Sequence, residues 1–264
     1  FTLAPDVALV DVAVGLERLP LAGLDLELPG TLEALGAVTL ALGGATLAQG
    51  GVLSIARPAA LVDDTGLVLA RFVEVLGATH LEFVAVGRIA GDRIVSDTAV
   101  GGLAVPLSGV REGGRYVFLR IGAPFGFVTG AVRDAANAVA PGRLVTVSTL
   151  PLVSMTGTTG IYVVPGLVGT NEVAAVDPQT FDSTLASVGI TAGGIARRDL
   201  RILPLAPRVT SVTPGSGATE VALGAPVVVA FSEPVAPATV SAFIVESSDG
   251  APVGPEAAAA AAAG

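Results

Sequence analysis

The stretch Val227-Val-Val-Ala-Phe-Ser-Glu-Pro-Val-Ala-Pro237 (VVVAFSEPVAP) poses the choice on which the reading of the whole chain depends. An apolar run stops abruptly at Ser232-Glu233, and Pro234 and Pro237 follow. A hydroxyl beside an acid at a strand end is one way to place a nucleophile next to its base. It is also one way for a strand to stop. Pro234 has no backbone N–H for a ladder and biases Glu233 toward extended geometry, so the same residues serve as a turn leaving a sheet.

Alternation with a period of two recurs along the chain and favours sheets. In His80–Ile89, Leu81, Phe83 and Ala85 fall on one face, with Glu82, Val84 and Val86 on the other. In Arg115–Ile121, Tyr116 and Phe118 oppose Val117 and Leu119. Leu144–Leu150 places Val145 and Val147 together, and Arg208–Thr213 and Val227–Phe231 read as two further strands. Turn signals separate these runs at Asp63-Asp64-Thr65-Gly66, Gly91-Asp92, Glu112-Gly113-Gly114, Thr156–Gly160, Pro214–Gly217 and Asp249-Gly250.

Helical candidates are few. Thr31–Leu42 has Thr31 as a cap and Glu33 in its first turn, but Gly36 and Gly43-Gly44 oppose a helix. Ala131–Ala140 is helix-friendly in composition and fits a strand, a turn and a strand equally well between Gly130 and Pro141-Gly142. The expectation is an all-β chain of tandem β-sandwich modules.

Composition narrows the function. The chain has 264 residues, no cysteine, and 14 basic residues, all of them arginine. That removes disulfides, thiol nucleophiles, Schiff bases and lysine crosslinks. The net charge of −9 and the absence of a basic stripe with interleaved aromatics argue against nucleic acid. Charged residues make up 14% against roughly 25% in an average domain. An alanine-rich composition explains part of this, and apolar surface covered by neighbouring modules explains it equally well. The uncharged windows Ala34–Ala56 and Leu144–Asn171 are broken by glycines and by Pro151 and Pro165, so neither reads as a membrane span.

Residues Gly126–Leu203 resemble the carboxypeptidase regulatory-like domain, a transthyretin-like β-sandwich. The resemblance rests on Gly126-Phe-Val-Thr-Gly-Ala-Val-Arg-Asp134, Pro141-Gly142, Thr159-Gly160-Ile-Tyr-Val-Val-Pro-Gly-Leu167 and Glu172–Ala175. It implies that Gly160 makes a tight turn and that Tyr162 is a core residue with a polar tip. Thr158-Thr159 replaces the acid usual before that glycine.

Residues Pro207–Ser248 resemble the first half of a bacterial Ig-like domain of large surface proteins. The carriers are Pro207-Arg-Val-Thr-Ser-Val-Thr-Pro214, Gly217-Ala218, Val221, Pro226–Val235 and Pro237-Ala-Thr-Val240. This resemblance makes Val227, Val229 and Phe231 the buried face of a strand and Ser232-Glu233-Pro234 the turn leaving it. Residues 1–125 carry no nameable family, although Gly51–Pro58, Gly66–Phe72 and Gly109–Leu119 resemble β-rich units preceding such modules. The expected domains are therefore 1–125, 126–204 and 205–264. Pro204-Leu-Ala-Pro207 is a linker whose two prolines restrict the hinge. Phe1 is neither an initiator methionine nor the start of a signal peptide, and the run Ala257–Ala263 carries no readable signal, so the chain is expected to be a fragment of a longer polypeptide.

No residue combination calls for chemistry, and the expected catalytic, cofactor and metal sites are none. Ser232 and Glu233 would need His80, the only histidine, delivered from another domain. Asp63-Asp64, or Asp92 with Asp97, offer oxygen ligands without the spacing of a calcium loop. No Gly-x-Gly-x-x-Gly opens a helix after a strand. Sugar binding lacks a tryptophan platform, leaving Tyr116 and loop polar groups, and Arg197-Arg198 reads as a solvated loop. The expected function is a non-catalytic, extracellular or cell-surface structural protein of bacterial type, a scaffold or spacer. It would associate with itself or with neighbouring modules, through sheet edges and low-charge faces, into a filament or surface layer. The alternative is an adhesin binding a glycan or protein through sandwich-end loops such as Asp63–Gly66.

Overall fold

The computed structural model describes residues 13–24, 27–103 and 107–204, together with 209–215, 218–219, 221–222, 225–231, 245–246, 252–253 and 258–260. The chain divides into two units, Phe1–Pro204 and Leu205–Gly264. It is all-β, a set of β-sandwich modules, with one short 3-10 turn at Leu21–Gly23. No helix among the described residues is long and apolar enough to cross a membrane.

In the first unit the strands are β1 (Gly15–Leu19), β2 (Leu32–Ala41), β3 (Thr46–Gly51), β4 (Ser54–Ala56), β5 (Leu67–Val75), β6 (Ala78–Ala90), β7 (Arg93–Asp97), β8 (Val110–Glu112) and β9 (Gly114–Ile121). They continue as β10 (Phe125–Arg133), β11 (Leu144–Val147), β12 (Leu150–Met155), β13 (Ile161–Leu167), β14 (Gly169–Val176), β15 (Ser183–Ile190), β16 (Ile195–Arg197) and β17 (Leu200–Arg201).

One large sheet runs β1-β2-β9-β5-β6-β12-β11-β14-β15. Its two halves meet where β6 and β12 pair in parallel, over only Leu81–Leu152 and Glu82–Val153. A second sheet, β13-β10-β16 with β17 beside β10, lies between an apolar cluster built from both halves and another confined to residues 128–202.

The central strands are apolar on both sides because both sides are covered. On β9, Tyr116 and Phe118 enter one cluster with Leu40, Leu69 and Ile94, whereas Val117 and Leu119 enter another. The alternation expected for Arg115–Ile121 is present. That second cluster joins Val68, Leu81 and Phe83 to Phe127, Leu150, Leu152 and Val163, side chains from both halves. On β10 the next residue, Val128, points the other way into a third cluster with Val145, Val147, Tyr162 and Val173.

The pairing decides the helical candidates and corrects one expectation. Thr31–Leu42 is strand rather than helix: Leu32–Ala41 is β2, bonded to β1 and β9. Alternation there sends Ala37 to one cluster and Val38 and Leu40 to the other, which a helical face would not do. Within β6, Ala85 does not share a face with Leu81 and Phe83. The register shifts so that Leu69 faces Ala85 while Ala70 faces Phe83, leaving Val84 as the extra residue of a bulge. Beyond it the faces exchange, so Ala85 packs in the first cluster and Val86 against the second. Ala131–Ala140 resolves into the end of β10, a turn, and a bridge from Val139 back to Arg133.

In the second unit, β18 (Val209–Thr213) pairs antiparallel with β19 (Val227–Phe231), which pairs parallel with β22 (Ala258–Ala260). Between them in the chain, β20 (Val245–Glu246) pairs with β21 (Pro252–Val253). Phe231 is buried, but Val227 to Ala230 are all half-buried. The strand is present as expected, while its expected division into buried and exposed faces appears only at Phe231. Ser232, Glu233 and Pro234 lie outside the described residues, as does the turn expected of them.

Candidate functional site

Charge is scarce in the first unit, so the place where it is buried stands out. Arg71 is the single cation in the middle of β5, and Glu82 the single anion in the apolar part of β6. The pairing places Arg71 opposite Glu82 on one side and opposite Tyr116 on the other, forming a polar row across three strands. The Arg71 guanidinium donates from Nε and Nη2 to Glu82 Oε2 at 3.0 and 2.8 Å. Its Nη1 donates to Glu112, and the Tyr116 hydroxyl donates to the Glu112 carbonyl at 2.7 Å.

Burial sets the electrostatics. The Glu82 carboxyl is pushed above its ordinary range by desolvation, which outweighs the attraction of Arg71. Burial lowers the Arg71 pKa, but Glu82 and Glu112 together overcome this and raise it. The Tyr116 hydroxyl is pushed up to about 12, mainly by burial. Met155 of β12 also donates its backbone N–H to Glu82. The cluster thus reaches across the β6–β12 joint and contributes to a cleft of about 370 Å³ with Arg111, Ser154 and Thr158. Both Arg71 bonds fall on Glu82 Oε2, so the pair ties β5 to β6 as a clamp. Sequence reading passed over it. The signal was one cation and one anion, each set within the apolar stretch of its strand.

The residues weighed from sequence are scattered. His80 is half-buried on β6 opposite Val73 and lines a cleft of about 310 Å³ with Glu27, Thr79 and Thr146. Asp63–Gly66 is a turn: Asp63 Oδ1 accepts from the Thr65 N–H at 2.9 Å, and Gly66 has φ +78°. Asp97 pairs with Arg88 at 2.6 Å, while Asp92 sits in an exposed turn. Among the described residues no three His, Cys, Asp or Glu side chains come together as a metal site. Arg197 and Arg198 are exposed, and the Arg198 carbonyl accepts the Tyr162 hydroxyl at 2.5 Å. Tyr162 is 1% exposed, and burial raises its pKa. It is a core residue with a polar tip.

At one end of the unit three loops surround a groove of about 690 Å³. It is lined by Asp63, Thr65, Arg120, Pro124, Phe125 and Gly193, among others. Arg120 lies 3.6 Å from Asp63 across it.

Near the chain's end, Val227–Phe231 is paired on both sides, with Val209–Thr213 and with Ala258–Ala260. Residues 205–262 match the bacterial Ig-like domain. Domains of this kind occur in bacterial surface proteins and are typically non-catalytic, so the match fits a surface-protein module. The match at 205–262 leaves the resemblance of Gly126–Leu203 to carboxypeptidase regulatory-like domains unconfirmed. No curated protein matches the chain. Among solved structures, the Bacillus anthracis TIE protein is similar at 12% identity, over 78% of this chain and 42% of that one, with a TM-score of 0.27. The chain spans less than half the length of that protein.

Proposed function

We propose that the chain is part of a non-catalytic extracellular structural protein, a scaffold or spacer within a multi-module surface or filament-forming assembly. One observation carries the proposal: the second apolar cluster is built from both halves of the first unit, with Phe127 stacked on Phe83 at 5.8 Å. A shared core resists bending between the parts it joins, which suits a spacer. The Arg71–Glu82 clamp beside the β6–β12 joint supports the same reading. So does the bacterial Ig-like match that follows at 205–262.

Within this reading, 126–204 is a carboxypeptidase regulatory-like sandwich attached to the β-rich segment 1–125. Gly160 at φ +70° and the buried Tyr162 support that assignment, because the family resemblance requires both. Imaging the native protein on the cell surface by cryo-electron microscopy tests the proposal. Ordered filaments or sheets repeating these modules are expected. Isolated flexible strings of beads would replace the scaffold with an adhesin stalk.

The three-loop groove favours a second reading, recognition of a glycan or protein at a sandwich end, because it includes Asp63–Gly66. Glycan-array or pull-down binding abolished by Asp63→Ala with Arg120→Ala would support that reading over the first.

A further inference from the structure

The parallel pairing of β10 with β17 sets Arg133 directly beside Arg201. Both are exposed, and like charges opposite one another on neighbouring strands are unfavourable unless a counter-charge is supplied. Neither guanidinium has a carboxylate partner among the described residues. Arg133 Nη1 donates to the Asn137 carbonyl at 3.0 Å, and Arg201 Nη2 donates to the Ala135 carbonyl of the same loop. Each bond uses one of five donors and pre-orders the side chain, leaving the rest of both forks for a ligand. Four residues back along β10, Thr129 faces Arg197, whose neighbour Asp199 lies at 3.5 Å. Asp199 is occupied in turn by the Ala131 N–H at 2.9 Å.

The chain that carries this pair is otherwise acidic, with a net charge of −9. Part of that acidity lies near the chain's end: residues 205–264 hold Glu220, Glu233, Glu246, Asp249 and Glu256 against the one arginine, Arg208. We infer that the Arg133–Arg201 pair is a docking site for the acidic 205–264 segment of a second copy, giving head-to-tail association. The inference rests on the scaffold reading and deepens it by naming the contact. A free polyanion satisfies the forks equally well but brings no apolar surface with it. A copy's acidic segment brings its five carboxylates together with the exposed apolar side chains Val209, Val212 and Val221.

Sedimentation velocity on the full chain tests this, comparing the natural sequence with Arg133→Gln/Arg201→Gln. Glutamine keeps an amide that can donate to the loop carbonyls, and an unchanged melting temperature verifies the fold. A second variant neutralises Glu220, Glu233, Glu246, Asp249 and Glu256 as Gln or Asn. The natural chain should self-associate, more weakly as salt rises. Each variant alone should associate roughly tenfold less tightly, as for loss of a pair of charged contacts at an interface. Undiminished association of the arginine variant would overturn the docking site while leaving assembly intact. A natural chain that is monomeric at every concentration would overturn both. Binding of polyphosphate by that monomer, lost in the arginine variant, would reassign the site to a polymeric anion and overturn the second-copy assignment.

Discussion

Replacing Phe127 by alanine removes the side chain that most directly joins the two halves of the first unit. Phe127 is 7% exposed, stacks on Phe83 at 5.8 Å, and meets Phe125 edge-on at 5.6 Å. Truncating a buried phenylalanine costs about 3–5 kcal/mol, part of it the cavity left behind and part the aromatic pairing. For a unit of 150–250 residues, each kcal/mol lowers the melting temperature by roughly 2–4 °C. The expected fall is therefore about 6–20 °C, read by scanning calorimetry. Amide exchange supplies the decisive part. Because Phe127 shares its cluster with Val68, Val117 and Leu119, protection should fall on β5 and β9 as well as on β10 and β13. A lower transition confined to 126–204, with β5 and β9 protected as before, would refute the shared core and leave two sandwiches in series.

Three more predictions follow from particular groups. The raised Glu82 pKa means the folded state holds a proton there more tightly than the unfolded chain, so stability should fall as pH rises from about 4.5, the unfolded value, through the folded one. Urea midpoints of Glu82→Gln should lose that slope, and the opposite sign in the natural protein would mean that Arg71 outweighs burial. Both tyrosines are shifted upward and there is no tryptophan, so ultraviolet titration should show no phenolate step near pH 10. Absorbance should instead rise together with alkaline unfolding, and a separate step near 10 in folded protein would contradict the burial of the hydroxyls. A Cβ on Gly130 would lie 1.9 Å from the Arg198 carbonyl oxygen, so Gly130→Ala should cost about 3 kcal/mol or more and release β16 from β10. A near-neutral effect on thermal stability would show that the two strands are not held so closely.

Alternation was sufficient to establish an all-β chain, because side chains of a strand point to opposite faces whatever those faces touch. Tyr116 with Phe118 against Val117 with Leu119 was legible for that reason, the Asp63–Gly66 turn from its turn chemistry, and the inward Tyr162 from the family resemblance. These features depend on neighbours a few residues away. What covers each face depends on residues far along the chain, and local pattern does not encode it. The tertiary structure alone placed Phe127 against Phe83, and it alone brought Arg71 to Glu82 and Glu112 and set Arg133 beside Arg201. The bulge at Val84 shows the same limit within a single strand: the apolar run Phe83–Val86 carries no mark of it, and only the pairing with β5 turns Ala85 and Val86 over. A strand's residues specify that it has two faces, and the partners it finds in space decide which residues lie on each.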